Sequence, residues 1–283
     1  MRYMVTGSTG QLGYDIVREL VSRGVSLENI YTPSHRQLDL TETLDVLENV
    51  INFDPDVIFH CAAYTKVDQA ETDKKACEIT NVLGTQNITN VANLLKAKLV
   101  YISTDYVFDG TKEGVYETHD KTNPINYYGL TKLKGEEIVK DSDKSFIFRI
   151  SWVFGENGKN FIKTMLRLAE TKDEVKVVSD QVGSPTYTAD LAKLLVDASM
   201  TDKYGIYHAT NEGFMTWNEI ARKTFEVAGK DVKVTPIKTC EYKTDALRPL
   251  NSKLSKKSLD NAGFERLPEA EDAIERYVKV LTR

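Results

Sequence analysis

The chain has 283 residues, of which 41% are hydrophobic and 28% charged, and its formal net charge is -5. This balance is typical of a globular protein with a sizeable core, and the length fits one large α/β domain or a nucleotide-binding domain with a smaller second part. The mild acidity, without a run of five or more basic residues, argues against a nucleic-acid partner. The sequence predicts neither a signal peptide nor a membrane span, so we expect a cytoplasmic protein.

The cysteines show no spacing that suits a disulfide framework or a zinc site. Cys61, Cys77 and Cys240 are widely separated and form no C-x-x-C pair, so we expect all three to be small buried apolar residues. No metal-ligand spacing is visible among the histidines either, which are His35, His60, His119 and His208. We therefore predict no metal.

In the first half of the chain, short apolar runs alternate with longer amphipathic segments. This alternation is typical of a doubly wound parallel sheet of the Rossmann type, an α/β fold. The predicted strands are residues 3–6, 29–32, 57–61, 98–103 and 145–150. The predicted helices are residues 12–23, 41–52, 75–95 and 126–140. Thr41 is the expected N-cap of the second helix, and Pro55 prevents that helix from continuing.

After about Ser151 the alternation becomes less regular. Residues 175–178 and 206–209 are predicted strands, and the predicted helices are residues 189–198, 217–228 and 269–281. Since no Pro/Ser/Gly-rich linker separates the halves, we expect one body with a cleft. Residues 1–150 would form the dinucleotide-binding domain. Residues 151–283 would form a smaller, irregular α/β part that mainly binds substrate, with some segments returning to the core.

A glycine-rich turn joins the first predicted strand to the first predicted helix. It reads Gly7-Ser8-Thr9-Gly10-Gln11-Leu12-Gly13, a G-x-x-G-x-x-G pattern. Glycines allow the tight turn and let backbone N–H groups approach a pyrophosphate, which then lies at the positive end of the helix. Because the pattern follows a buried strand and precedes an amphipathic helix, we predict dinucleotide binding by Gly7, Gly10, Gln11, Leu12 and Gly13.

The end of the second predicted strand indicates which dinucleotide binds. A site selective for NAD usually has a carboxylate there, for the ribose 2′-hydroxyl. Here Ser34 and Arg36 follow instead, and their hydroxyl and guanidinium donors suit a 2′-phosphate. We therefore predict a preference for NADPH, with NADH still usable, and we expect Asp39 and Leu40 to flank the adenine.

A tyrosine and a lysine lie four residues apart in the helix predicted for residues 126–140. Tyr128 and Lys132 therefore share one helix face. The lysine ammonium is expected to lower the phenol pKa towards the working range, which would make the tyrosine a proton donor. Thr104 follows a predicted strand at the ligand-binding edge of the sheet, so its hydroxyl could hydrogen-bond a carbonyl oxygen as that oxygen gains charge.

Taken together, these motifs resemble those of the extended short-chain dehydrogenases/reductases and, among them, the dTDP-4-dehydrorhamnose reductase family. The resemblance covers nearly the whole chain. Besides the glycine-rich turn, the matching segments are residues 61–68, 103–110, 128–132 with Gly135-Glu136, 149–155, 180–186 and Arg248-Pro249.

The resemblance implies a reaction and a set of residues. The reaction is the reduction by NADPH or NADH of a 4-keto nucleotide sugar, the last step of dTDP-L-rhamnose synthesis. Thr104, Tyr128 and Lys132 would be the catalytic set, with Tyr128 and Lys132 also touching the cofactor. Further cofactor contacts would come from Ala62, Ala63 and Tyr64. The remaining substrate contacts would come from Thr65, Val67, Asp105, Trp152 and Arg248, with Trp152 as a sugar platform and Arg248 as a clamp on the diphosphate.

Two alternatives remain open at this point. A nucleotide-sugar dehydratase or epimerase would share the glycine-rich turn and the Tyr/Lys pair, but dehydratases commonly carry an acidic pair after the threonine, and Tyr106 replaces the second acid here. The regulatory subunit of methionine adenosyltransferase, which does not catalyse this chemistry, also resembles the family. Retention of Thr104, Tyr128 and Lys132 together favours the reductase. The sequence is compatible with a homodimer but does not determine the oligomeric state.

Overall fold

The computed structural model describes residues 1–282. Its strands are β1 (Tyr3–Thr6), β2 (Ile30–Tyr31), β3 (Val57–His60), β4 (Lys98–Thr104), β5 (Ser145–Ile150), β6 (Val153–Phe154), β7 (Glu174–Val178), β8 (Val182–Gly183), β9 (Thr186–Tyr187), β10 (Gly205–His208), β11 (Met215–Thr216), β12 (Lys233–Ile237) and β13 (Asn251–Ser252). Its α-helices are α1 (Gln11–Ser22), α2 (Thr43–Phe53), α3 (Val67–Ala70), α4 (Lys74–Glu78), α5 (Gly84–Leu95), α6 (Tyr127–Lys140), α7 (Phe161–Leu168), α8 (Thr188–Ser199), α9 (Trp217–Val227), α10 (Lys257–Ala262) and α11 (Ala270–Leu281).

Six of these strands form one sheet in the order β10-β5-β4-β3-β1-β2, and every pair in it is parallel. All residues of β1, β3 and β5 are buried, as expected for strands covered on both faces. The α/β fold of the Rossmann type that the sequence predicts is confirmed. A parallel sheet of this kind collects the carboxyl ends of its strands at one edge, where ligands bind.

Helices cover both faces of this sheet. Alternate side chains of β1 and β3 go to opposite faces, so that Tyr3 and Phe59 join the core beneath α1 and α8, whereas Met4 and Ile58 join the core beneath α2, α5 and α6. Leu20 of α1 lies in the first of these cores together with several residues of α8. The first core therefore depends on a helix from the second half of the chain.

The second half contributes to the main sheet and also builds smaller layers. Strand β10 pairs with β5 at one end of the sheet. The other late strands form three small sheets, β11-β8-β13, β12-β7 and β6-β9. Helices α7, α9 and α11 pack around separate apolar clusters that include Phe154, Phe225 and Tyr277. The division of the chain at residue 150 stays a prediction, and the return of later segments to the core is visible in β10 and α8.

Every helix and strand predicted from the sequence is present, with ends that differ by at most two residues. Two details differ. The N-cap of α2 is Glu42, because the Thr41 hydroxyl donates instead to Asp39 Oδ1, 2.7 Å away. The helix predicted for residues 75–95 contains a π-helical turn, Ile79–Leu83, between α4 and α5.

The expectation for the cysteines is only partly right. Cys77 is buried and Cys61 is partly buried, whereas Cys240 is exposed because it lies in a surface turn, Thr239–Glu241, that follows β12. Within residues 1–282, no group of three or more His, Cys, Asp or Glu side chains could hold a metal ion. No helix among the same residues is both long and apolar enough to cross a membrane.

Candidate functional site

The glycine-rich turn forms a narrow cradle at the start of α1. Gly7 has a φ of 66°, and the turn is closed by a hydrogen bond from Gly10 N to Gly7 O at 2.9 Å. A Cβ atom on Gly13 would lie only 2.4 Å from Gly7 O, so a side chain there would not fit. Within the described residues no side chain caps the first N–H groups of α1, which leaves them free for an anion. The cradle therefore fits a dinucleotide pyrophosphate.

The loop after β3 lies against this cradle. A Cβ atom on Gly7 would be 2.8 Å from Ala62 N, which shows how closely the two backbones approach. Tyr64 N donates to Asn81 Oδ1 at 2.7 Å, and Asn81 Nδ2 donates to Thr131 Oγ1 at 2.9 Å. Ala62, Ala63 and Tyr64 thus lie between the glycine-rich turn and α6. Sequence reasoning missed Asn81, because a polar residue inside a helical pattern gives no sign of what it will contact.

The residues predicted to recognise the adenosine half of the cofactor lie on the loop after β2. Ser34 and Arg36 are both exposed there. Asp39 accepts hydrogen bonds from the backbone N–H and the hydroxyl of Thr41, which lower the pKa of its carboxyl. Leu40 approaches Gly84 on α5. The arrangement leaves the Arg36 guanidinium accessible to a phosphate.

Thr104 and Asp105 form a buried polar pair where β4 ends. The Thr104 hydroxyl accepts a hydrogen bond from Tyr106 N at 3.2 Å and donates one to Asp105 Oδ1 at 3.0 Å. Asp105 is 3% exposed, and its Oδ2 atom has no hydrogen-bond partner in the described part of the chain. Burial raises the Asp105 pKa to about 6. The Ser252 hydroxyl, which has no other partner among the described residues, is close enough to lower this pKa, so Asp105 Oδ2 can accept from Ser252 or from a hydroxyl group of a ligand.

Tyr128 lies in the first turn of α6, next to this pair. Asn126 caps the helix by accepting a hydrogen bond from Gly129 N at 2.8 Å. The Tyr128 ring packs edge-on against Tyr106, with the ring centroids 6.0 Å apart. Burial and the charge of Asp105 raise the pKa of Tyr128, and the Thr104 hydroxyl lowers it by a smaller amount. Thr104, Asp105 and Tyr128 are therefore brought together at the carboxyl edge of the sheet.

The expected effect of Lys132 on Tyr128 is wrong in this structure. Lys132 is 3% exposed, and its Nζ lies 4.0 Å from the centre of the Tyr101 ring. The pKa of Tyr128 is raised rather than lowered, because burial and the charge of Asp105 outweigh the hydrogen bond with Thr104. Burial also lowers the Lys132 pKa to about 7, although the charge of Glu136 opposes this shift.

The surroundings of Lys132 nevertheless fit a dinucleotide. Its ammonium has no hydrogen-bond acceptor among residues 1–282 in this structure. A buried ammonium group needs such acceptors. The two hydroxyls of a cofactor ribose would supply them.

The contacts of Trp152 are packing contacts, since its indole joins an apolar cluster of the second half and also lies close to Gly183. Its φ is 50°, which is unusual for a residue with a side chain. Its indole is partly buried and stacks on Trp217, with 4.0 Å between the ring centroids and an angle of 16° between the planes. One face of the ring is therefore occupied by protein. The predicted sugar contact would have to use the other face or the edge.

The remaining predicted substrate contacts, Thr65, Val67 and Arg248, differ in their exposure and in whether they already bind another side chain. Thr65 is exposed, and Val67 is the partly buried first residue of α3. The Arg248 guanidinium binds the Asp68 carboxylate through two hydrogen bonds of 3.0 and 2.7 Å. Sequence reasoning missed Asp68, because its partner lies far away in the chain. In this arrangement both terminal nitrogens of the side chain expected to clamp a diphosphate already donate to a protein carboxylate.

Comparison with known proteins adds an independent finding. A profile of the family described as RmlD substrate binding domain matches residues 1–283. The chain is 40% identical to dTDP-4-dehydrorhamnose reductase of Aggregatibacter actinomycetemcomitans over 274 residues, which cover 92% of each chain. Among solved structures, it resembles dTDP-4-dehydrorhamnose reductase from Bacillus anthracis in complex with NADP, with a TM-score of 0.95, 41% identity and 99% of each chain covered. It also resembles the enzyme of that name from Clostridium acetobutylicum, with a TM-score of 0.96, 37% identity and 100% of each chain covered.

Proposed function

This chain belongs to the RmlD substrate binding domain family, and from that premise we propose that it reduces the 4-keto group of dTDP-4-dehydro-L-rhamnose to give dTDP-L-rhamnose, with NADPH as the reductant. The observation that supports this most directly is that Thr104, Asp105 and Tyr128 lie together where β4 ends, with Lys132 one helical turn beyond Tyr128 on α6, in a chain whose relatives carry the reductase name. The product is that of the last step of dTDP-rhamnose synthesis.

The cofactor would be held at three places. The N–H groups at the start of α1 would bind the pyrophosphate, Ser34 and Arg36 would bind the 2′-phosphate, and the Lys132 ammonium would bind the nicotinamide ribose. NADPH, when bound, supplies the hydride that reduces carbon 4 of the sugar. This assignment is supported by the Bacillus anthracis relative, which was crystallised with NADP.

Proton transfer would be the task of Tyr128. Its raised pKa keeps the phenol protonated at neutral pH, so the proton remains available until the carbonyl oxygen gains negative charge. The phenol O–H would then donate its proton to that oxygen, while the Thr104 hydroxyl would hydrogen-bond the same oxygen and orient it. A raised phenol pKa therefore suits the reductive direction, in which the tyrosine is an acid.

Reduction also fits the surroundings of Asp105 better than water elimination does. The position after Asp105 is occupied by Tyr106, whose ring packs on Tyr128. Elimination requires a general acid and a base near the carbon that loses water, and Tyr106 replaces the second carboxylate of the dehydratase pattern. Asp105 Oδ2, which lacks a donor within the described residues, would instead accept a hydrogen bond from a sugar hydroxyl.

The test is to measure oxidation of NADPH by the 4-keto nucleotide sugar with wild-type protein and with Tyr128→Phe. General acid catalysis contributes roughly 10² to 10⁴ in rate, so kcat should fall by about that factor while the Kd for NADPH stays unchanged. Tyr127→Phe is the matched control, because Tyr127 precedes Tyr128 on α6 and its hydroxyl donates to Glu78 at 2.8 Å. A kcat near the wild-type value in Tyr128→Phe would contradict the assignment.

Several further expectations for this function remain predictions. The nucleotide sugar is the expected partner, whereas a homodimer, the absence of a nucleic-acid partner and a cytoplasmic location are inferred from the sequence. Size-exclusion chromatography with light scattering would give the oligomeric state directly.

A further inference from the structure

Residues 244–250, which we call the strap, lead from the surface turn Thr239–Glu241 to β13. The strap has no regular helix or strand. At its far end, Leu250 O accepts a hydrogen bond from Val182 N at 2.8 Å, and Pro249 packs directly against Gly110. Gly110 belongs to the segment that follows Thr104. The strap is thus fixed beside the segment that carries part of the candidate site.

One carboxylate holds the middle of the strap. Asp68 Oδ1 accepts hydrogen bonds from Ala246 N at 3.1 Å and from Arg248 Nη1 at 3.0 Å, and Asp68 Oδ2 accepts one from Arg248 Nη2 at 2.7 Å. Arg248 Nη1 also donates to Ala246 O at 3.1 Å. Both terminal nitrogens of the guanidinium are therefore used within the protein. Asp68 lies in the short helix α3, next to Val67.

A second contact joins the strap to the helix that carries Tyr128. Asn126 Nδ2 donates to Leu247 O at 2.8 Å, while Asn126 Oδ1 caps α6. Arg248 is also close enough to Tyr106 for its charge to lower the pKa of that phenol, against the larger effect of burial. The strap therefore contacts the start of the helix that carries Tyr128, and the charge of Arg248 reaches the tyrosine whose ring packs against Tyr128.

Resting on the proposed function, we propose that Asp68 is a positioning residue, whose carboxylate clasps Ala246 and Arg248 and so holds the strap closed over the nucleotide-sugar side of the site. Arg248 then acts by ordering the strap, with both of its terminal nitrogens bonded to Asp68. This differs from the clamp on the diphosphate that the sequence suggests.

The two roles of Arg248 give opposite results when the charge of Asp68 is removed. If the pair is a clasp, Asp68→Asn loosens the strap, and the nucleotide sugar binds less well. If Arg248 is a diphosphate ligand that Asp68 restrains, the same change frees the guanidinium and improves binding. The sign of the change in KM therefore separates the two roles.

The experiment measures kcat and KM for the 4-keto nucleotide sugar at saturating NADPH, together with the Kd for NADPH, in wild type, Asp68→Asn and Asp68→Glu. The side chains of Asp68 and Arg248 are partly exposed, so we expect a modest increase in KM of about 3- to 10-fold for Asp68→Asn. The Kd for NADPH should not change, and Asp68→Glu should recover part of the loss because it restores the carboxylate.

Asp260→Asn is the matched control, since Asp260 holds Arg266 through two hydrogen bonds of 2.8 and 2.5 Å outside the strap. It should leave KM unchanged. A lower KM in Asp68→Asn would assign Arg248 to the ligand and overturn the proposal. A KM equal to that of the control would also overturn it.

A second measurement does not depend on the reaction. Lys243 is exposed and immediately precedes the strap, so trypsin should cleave after it faster in Asp68→Asn than in wild type or Asp260→Asn. Equal cleavage rates would overturn the clasp. If wild-type protein failed to reduce the keto sugar while cleavage still accelerated, the proposed function would fail and the clasp would stand.

Discussion

A buried ion pair beneath the candidate site gives the sharpest prediction about stability. Arg149 of β5 is 1% exposed and Glu136 of α6 is 0% exposed. Arg149 Nε and Nη2 donate to the two oxygens of Glu136 at 2.8 and 2.7 Å, and Ser103 Oγ donates to Glu136 Oε1 at 2.5 Å. Glu136 follows Lys132 by one helical turn, so this pair fixes α6 to the sheet. We predict that Glu136→Gln destabilises the protein strongly.

The size of the effect follows from burial. Glutamine preserves the shape of the side chain and leaves no cavity, but it leaves the Arg149 charge without a counter-charge, which costs about 3 to 5 kcal/mol in the free energy of unfolding. At about 2.1 cal/mol/K per residue, the unfolding entropy of a 283-residue chain is about 0.6 kcal/mol/K, so a decrease in Tm of about 5 to 8 °C is expected. Replacing both partners, as Glu136→Leu with Arg149→Met, should recover much of the loss, because no buried charge remains.

The assay is thermal unfolding at pH 7, supported by urea unfolding of the same proteins. Glu137→Gln is the control, because Glu137 is the exposed neighbour on the same helix, and its Tm should stay within about 1 °C of wild type since surface changes of this kind are usually small. If Glu136→Gln also unfolds at the wild-type temperature, the pair does not carry the stability assigned to it. A double variant much less stable than Glu136→Gln would likewise refute the argument from uncompensated charge.

Two further predictions concern Lys132 and Arg36. Burial lowers the Lys132 pKa to about 7, and the ammonium is the form assigned to bind ribose, so kcat/KM should fall as pH rises through about 7. Glu136→Gln should move this fall to lower pH, and Lys132→Met should abolish it with a large loss of rate. Lys134→Met, which removes a surface partner of Glu78, should keep the wild-type profile. Because folding lowers the Lys132 pKa, the unfolded chain binds more protons than the folded chain between about pH 7 and the ordinary lysine pKa. The buried Lys132 charge therefore destabilises the folded chain at pH 7, and removing it in Lys132→Met should raise Tm at that pH. Arg36→Ala should reduce the ratio of NADH to NADPH dissociation constants by about tenfold at one fixed salt concentration, because one exposed charged contact to phosphate is lost; an unchanged ratio would make Arg36 a bystander.

The parts of the fold that the sequence predicts well are those with a long or repeated pattern. Strands such as Val57–His60 and Ser145–Ile150 are continuous apolar runs because both sides of the sheet are covered. Helices α1 and α2 bury mainly apolar side chains, whereas the buried face of α6 includes Thr131, Lys132 and Glu136. In contrast, β6, β8, β9, β11 and β13 have two residues each, which is too short for any period to be visible. Their pairing is decided by the packing of the later helices.

The same distinction applies to the candidate site. Tyr128 and Lys132 could be predicted because their spacing of four residues places them on one helix face before anything is known of the tertiary structure. The sign of the Tyr128 pKa shift could not, because it depends on burial and on Asp105, which reaches Tyr128 only in the folded chain. Asp68 and Arg248 are 180 residues apart, and no local pattern indicates that they meet.

Residues after 150 contact several parts of the candidate site, so residues 1–150 alone would not form a complete site. Strand β10 covers the edge of β5, and Leu191 and Leu195 of α8 share a core with Ile16 and Leu20 of α1. The glycine-rich turn is itself contacted from beyond residue 150, because Asn157 Nδ2 donates to Thr9 O at 2.8 Å. The strap reaches α3 and the start of α6 from the far end of the chain. The glycine-rich turn, α6 and α3 are therefore each contacted by segments from the second half, so their relative positions are set by the packing of the whole chain rather than by residues 1–150 alone.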